Sequence, residues 1–96
     1  MSVDAIMIKP EDNVATALRD LKREETALIN VGEGQRHMKV IEDIPYGHKF
    51  AVINIKNGDS VIKYGEIIGR ATQFIKQGAH AHIQNIESLR GRGDLK

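Results

Sequence analysis

Ile44-Pro45-Tyr46-Gly47, Ile55-Lys56-Asn57-Gly58 and Ile75-Lys76-Gln77-Gly78 repeat one pattern, an isoleucine followed three positions later by glycine. Three residues after each glycine stands Phe50, Val61 or Ala81. Glycine there permits the positive φ of a tight turn, so the isoleucine before it and the residue after it enter the same core as the chain reverses. Three such turns predict a compact sheet of short strands.

Working outward, Ala5-Ile6-Met7-Ile8 is a short apolar run stopped by Pro10, which reads as a first strand buried on both faces. Asp12 or Asn13 can cap a helix whose buried stripe is Val14, Ala17, Leu18 and Leu21, with Arg19, Asp20, Lys22 and Arg23 outside. Residues 26–31 and 35–41 flank Gly32-Glu33-Gly34, a hairpin with a loop of about three residues. His37 lies on that hairpin as a surface residue. Lys49 to Ile55 and Ile67 to Ala71 supply further strands. The expected fold class is therefore mainly β with one helix.

Chemistry concentrates in Gly78-Ala79-His80-Ala81-His82-Ile83-Gln84-Asn85. On a strand, side chains alternate, so His80 and His82 share a face with Cβ atoms roughly 6.5 to 7 Å apart. Both rings can then lean onto one divalent metal or one carboxylate, although a closed metal site needs about three protein ligands. Two histidines at alternate positions also arise without function, and the pair alone leaves both readings open. Two further polar clusters fall at turns: Gly47-His48-Lys49 after the first Ile-x-x-Gly, and Lys63-Tyr64-Gly65 after the strand that follows the second. Taken alone, Lys63-Tyr64-Gly65 is an ordinary turn. If the repeats are equivalent, the three clusters gather on neighbouring edges of one small barrel. His, Lys, Tyr and Asn together suit a substrate with carboxylate and hydroxyl groups.

Composition narrows the classes. The 96 residues, 41% hydrophobic and 28% charged, describe one small soluble domain. A deep private substrate pocket does not fit this size, which favours a site shared at a subunit interface. Fourteen Lys and Arg against thirteen Asp and Glu leave no basic excess for general nucleic-acid binding. The absence of cysteine excludes disulfides, thiolate metal sites and cysteine nucleophiles, with a reducing cytoplasm as the simplest setting. No apolar run approaches a membrane span and Met1 to Lys9 lacks a secretory pattern, so the chain reads as soluble and unexported. Residues 1–88 form the expected domain and 89–96 a polar tail. Arg92-Gly93-Asp94 in that tail is a chance tripeptide, and Arg90 and Arg92 suit either a solvated tail or a clamp on an acidic partner.

Asp12-Asn13-Val14-Ala15, Gly47-His48-Lys49-Phe50-Ala51, Val61-Ile62-Lys63-Tyr64-Gly65, Ile68-Gly69-Arg70-Ala71 and Gly78-x-His80-x-His82-x-x-Asn85, in this order, resemble the SAF domain of altronate and galactarate dehydratases. The resemblance covers nearly the whole chain and implies a β-clip fold, a folded-over sheet of short strands carrying one helix. It implies a small subunit, like that of sulfolactate sulfo-lyase, working with a large catalytic subunit made as a separate polypeptide. Such enzymes eliminate water, or sulfite, from a 2-hydroxy carboxylate with a divalent metal such as iron(II) or manganese(II), here bound in part or mainly by the partner. Gln84 departs from the pattern, since longer members often carry another histidine there.

On this resemblance the expected function is β-elimination of water from a sugar acid to a 2-keto-3-deoxy acid. His80 and His82 are the metal candidates. His48, His80 and His82 are the candidates for proton transfer, and Lys49, Lys63, Tyr64 and Asn85 for binding substrate carboxylate and hydroxyls. The expected partners are the large subunit and the sugar acid, with neither nucleic acid nor membrane, and a homo-oligomer when the chain is isolated. Competing readings are a sulfolactate sulfo-lyase subunit, a regulatory subunit, and a non-catalytic SAF-type module that binds carbohydrate acids.

Overall fold

A computed structural model describes residues 3–89, and all their regular structure is strand. The strands are β1 (Ala5–Met7), β2 (Val14–Ala17), β3 (Thr26–Val31), β4 (Gly34–Lys39), β5 (Lys49–Ala51), β6 (Ser60–Lys63), β7 (Glu66–Ala71), β8 (His80–Ala81) and β9 (Ile86–Ser88). Six of them form one sheet in the order β4-β3-β1-β2-β5-β8, and β6-β7-β9 form a second. All pairings are antiparallel except β1 with β3. Residues 90–96, which carry Arg90, Arg92 and most of the expected tail, lie outside the described residues.

The expected helix is absent from the described residues; its stripe is β2 and the turn beyond it. β2 is buried on both faces, and alternation sends Ala15 and Ala17 into one core cluster and Val14 into the other. β5 is divided in the same way, with Phe50 in the first cluster and Ala51 in the second. Together β2 and β5 form the wall between two cores, and a strand buried on both sides has the continuous apolar character of a short helix segment. Leu18 is left 44% exposed, which a helical stripe would not allow.

The presumed caps have a different task. Asp12 is 3% exposed, and its carboxylate accepts from the backbone N–H groups of Ile8, Lys9, Tyr64 and Gly65 at 2.7–3.2 Å. The Asn13 carboxamide donates to the Ser60 carbonyl and accepts from the Ile62 N–H, at 2.9 and 2.7 Å. These two side chains clip β6 and the turn after it onto the larger sheet. Short polar side chains that bond distant backbone in this way compete with helix formation.

The Ile-x-x-Gly turns behave as the sequence indicates. Ile44, Ile55 and Ile75 are buried, as are Phe50, Val61 and Ala81, and Gly47, Gly58 and Gly78 have φ of +83, +91 and +88°. A fourth unit precedes them. Leu21-Lys22-Arg23-Glu24 makes the same turn, Glu24 takes the glycine position at φ +74°, and buried Ala27 takes the inward position. The four units work in pairs, since Leu21 bridges Ile44 and Ile55 bridges Ile75. In the first pair Asp20 accepts from the Tyr46 N–H and Asp43 from the Arg23 N–H, a reciprocal exchange that fixes both turns. The β3–β4 hairpin closes through two residues, Gly32 and Glu33, because Gly34 already pairs with Val31, and His37 on it is exposed as expected.

Candidate metal centre

The second and fourth turns converge because β5 pairs with β8, Phe50 opposite His80 and Lys49 opposite Ala81. The residues that follow Gly47 and Gly78 are thereby brought to one edge. His48 Nδ1 lies 2.9 Å from His80 Nε2. The His48 and His82 rings stack with centroids 3.9 Å apart and planes at 18°, and the His80 and His82 centroids are 5.6 Å apart. One nitrogen from each of the three rings falls within 4.8 Å of the others.

His80 and His82 do meet, though not by strand alternation. β8 ends at Ala81, and His82 begins a turn over 82–85. Asn85, 8% exposed, shapes that turn: its oxygen accepts from the His82 N–H at 2.9 Å and its amide donates to the His80 carbonyl at 2.9 Å. Both ends of the carboxamide are thus engaged with the backbone on either side of Ala81. The Glu42 carboxylate accepts from the His80 N–H at 2.7 Å, and the Gln84 amide nitrogen lies 3.1 Å from His80 Nδ1.

The electrostatics favour neutral imidazoles. Burial is the main cause of the lowered pKa of both His80 and His82, and the neighbouring His48 and Lys49 lower both further. Glu42 opposes this at His80. Lys49 is itself lowered, first by burial and then by the charge of Lys63. Lys49 and His82 border a cavity of about 150 Å³ completed by Ile68, Ile83, Ile86 and Ser88. Lys63 does not line this cavity, and only its charge is felt at Lys49. Tyr64 sits at φ +57° in the β6–β7 turn, 45% exposed, with the Lys63 ammonium 4.8 Å from its ring centre.

The donor set bears on whether a divalent cation fits here. Three imidazole nitrogens suit iron, zinc or manganese-type divalent ions, and His82 Nδ1 is buried without a hydrogen-bond partner. The residues present fit such an ion. His48, expected only as a proton-transfer residue, supplies the third nitrogen that the His-x-His segment lacked. Glu42 and Gln84, which brace His80, were not singled out for a role. Glu42 belongs to no motif and reaches His80 from a distant turn, whereas Gln84 stands within the His-x-His segment, four residues from His80.

Comparison with known proteins places this arrangement in a family. A model of the altronate/galactarate dehydratase SAF domain matches residues 3–89. The altronate dehydratase of Bacillus subtilis is 42% identical over 83 residues, 86% of this chain but 16% of the relative. The (2R)-sulfolactate sulfo-lyase subunit alpha of Chromohalobacter salexigens is 42% identical over 52 residues, 54% of this chain and 55% of the relative. That of Paracoccus pantotrophus is 46% identical over 48 residues, 50% of this chain and 72% of the relative. The chain thus spans a small fraction of the dehydratases and about half or more of the sulfo-lyase alpha subunits that it matches. With a family model covering nearly all of its length, and with the β-clip turns and histidine edge described above, this chain belongs to the altronate/galactarate dehydratase SAF-domain family.

Proposed function

We propose that this chain is the small subunit of a heteromeric lyase that removes water from a sugar acid of the altronate or galactarate type, giving a 2-keto-3-deoxy acid. The observation that carries the reading is the convergence of His48, His80 and His82 beside Lys49. Support for a separate small subunit comes from the sulfo-lyase relatives, whose names describe one subunit of an assembly.

In this reading His48, His80 and His82 hold a divalent cation such as iron(II) or manganese(II). When bound, it supplies positive charge that makes the proton beside the carboxylate more acidic. The Lys49 ammonium binds the substrate carboxylate, and the charge of Lys63 strengthens the field that draws the acid in. A base takes the proton from the carbon next to the carboxylate, and that electron pair forms the double bond. The 3-hydroxyl departs with a proton from an acid, and the enol product tautomerises to the ketone. A cavity of about 150 Å³ is small for a substrate site, which suits an active site completed by a large partner that contributes the remaining acid–base groups. Asn85 serves here as a positioning residue for the His80–His82 turn.

A second reading, elimination of sulfite from sulfolactate, rests on the same alpha-subunit relatives and differs only in the leaving group. The test is affinity capture of the tagged chain from its own host, with mass spectrometry of whatever is held in near-equal amount. One large chain, active as a complex on an aldonate or aldarate but not on sulfolactate, is the expected result. Activity on sulfolactate alone moves the assignment to the second reading. Recovery of nothing, with the chain running as a lone species, overturns the small-subunit reading in favour of a ligand-binding module.

A further inference from the structure

The three histidines do not by themselves specify which of their nitrogens carry protons, and that choice decides whether the cluster can bind a cation. A neutral imidazole has one N–H and one lone pair, and the partner of one nitrogen fixes the other. Among the described residues, only one of these rings has hydrogen-bonding partners at both nitrogens: His80, with Gln84 Nε2 3.1 Å from Nδ1 and His48 Nδ1 2.9 Å from Nε2.

With its NH2 group toward His80, Gln84 can only donate, so Nδ1 accepts and Nε2 carries the proton. Nε2–H then donates to His48 Nδ1, which leaves the His48 proton on Nε2. In this arrangement the three residues form a hydrogen-bonded chain in which the only lone pair of His80 is spent on Gln84 and none is turned toward His48. A half-turn of the amide about Cγ–Cδ presents Oε1 instead, which accepts from Nδ1–H and frees the Nε2 lone pair for the cluster. The backbone of Gln84 is held independently of this rotation, since its carbonyl accepts from the Gln73 side chain at 3.4 Å and the turn is closed by Asn85. The side chain is exposed and able to rotate.

We infer that the Gln84 carboxamide is a positioning residue that sets the tautomer of His80, and that its rotation converts the His48–His80 pair from a closed hydrogen-bonded chain to a cation-ready one. The cation-ready half of this inference rests on the metal reading given above. A glutamine suits such a task because it offers a donor or an acceptor at the same point, whereas a carboxylate only accepts and a thioether does neither.

The experiment reads His80 in the metal-free, full-length chain by long-range proton–nitrogen correlation spectra, at a pH above the histidine range. The parent should show His80 protonated at Nε2, Gln84→Glu at Nδ1, and Gln84→Met a mixture. Titration with cobalt(II) should show affinity about tenfold higher in Gln84→Glu, whose His80 already offers the Nε2 lone pair, than in Gln84→Met, as expected for an outer partner of a ligating histidine. The same His80 tautomer in all three chains overturns the inference, whatever the metal does. If the tautomer moves as expected but no chain binds cobalt(II), the role of Gln84 in setting the tautomer stands and the metal reading fails separately.

Discussion

His48 and His82 stack face to face, ring centroids 3.9 Å apart, although one follows the second turn of the chain and the other the fourth. Burial and the positive charge around them make protonation costly for His82 and for His80 beside it. On the proposed function, His82→Ala should reduce turnover of the assembled lyase by more than about 100-fold, since loss of a proposed ligand should exceed the usual effect of losing its outer partner. Far-ultraviolet circular dichroism of the variant should match the parent, because His82 lies in a turn beyond the strand ladder. Full activity of His82→Ala would remove the histidine edge from the mechanism.

The acid side of the stability profile follows from named groups. Burial first, then neighbouring positive charge, holds the folded pKa of His80 and His82 below the ordinary value of 6.5. The unfolded chain therefore takes up protons first, so metal-free stability should decline as pH falls below about 6.5. At Asp12 burial pushes the pKa up, but the Gly65, Lys9, Tyr64 and Ile8 N–H groups outweigh it and hold the carboxyl below 3.8. At Asp4 the Leu28 N–H is the main cause of a lowered value, aided by Arg19 against burial. Their stabilisation is complete above the unfolded value of 3.8 and is lost as pH falls through the lower folded values. Urea midpoints across pH should show both declines, and His82→Ala should weaken the first while leaving the second.

Asp12→Ala tests the clip between the two sheets. Four backbone N–H groups lose one ionised, buried acceptor, which should cost about 3 kcal/mol or more. Asp12→Asn, with one oxygen left to accept, should recover part of the loss. An unchanged midpoint for Asp12→Ala would show that β6 and its turn are held by packing alone.

The four turns give a graded series. At Gly58 an added Cβ meets nothing within 4 Å, so Gly58→Ala pays for φ +91° alone, about 1 kcal/mol. At Gly78 the same Cβ falls 2.7 Å from the Lys39 carbonyl oxygen, at φ +88°, and the loss should be clearly larger. Glu24 is the reverse case: Glu24→Gly relieves φ +74° and gives up an exposed ion pair to Lys39 of 3.4 Å, for a net gain of up to about 1 kcal/mol. Thermal midpoints should rank Glu24→Gly above the parent and Gly78→Ala lowest.

Lys49→Met tests the carboxylate anchor. Burial and the charge of Lys63 lower the Lys49 pKa, and its removal should raise KM for the acid substrate about tenfold or more in the assembled enzyme. A change confined to kcat would instead assign Lys49 to the reacting atoms.

The turns are legible in the sequence, because a glycine at positive φ between two inward apolar residues is a local requirement that three of the four units state openly. Leu21-Lys22-Arg23-Glu24 hid the fourth, since glutamate can be forced to φ +74° by the bridge to Ile44 and the turn it closes. The sequence also placed His48, Lys49, His80 and His82 among the candidate residues. Only the tertiary structure decided that Val14–Ala17 is a strand, because burial on both faces erases the alternation that marks a strand with one wet side. Tertiary structure alone likewise brought His48 to the His-x-His segment. That contact depends on the pairing of β5 with β8, a long-range register that no local pattern of residues encodes.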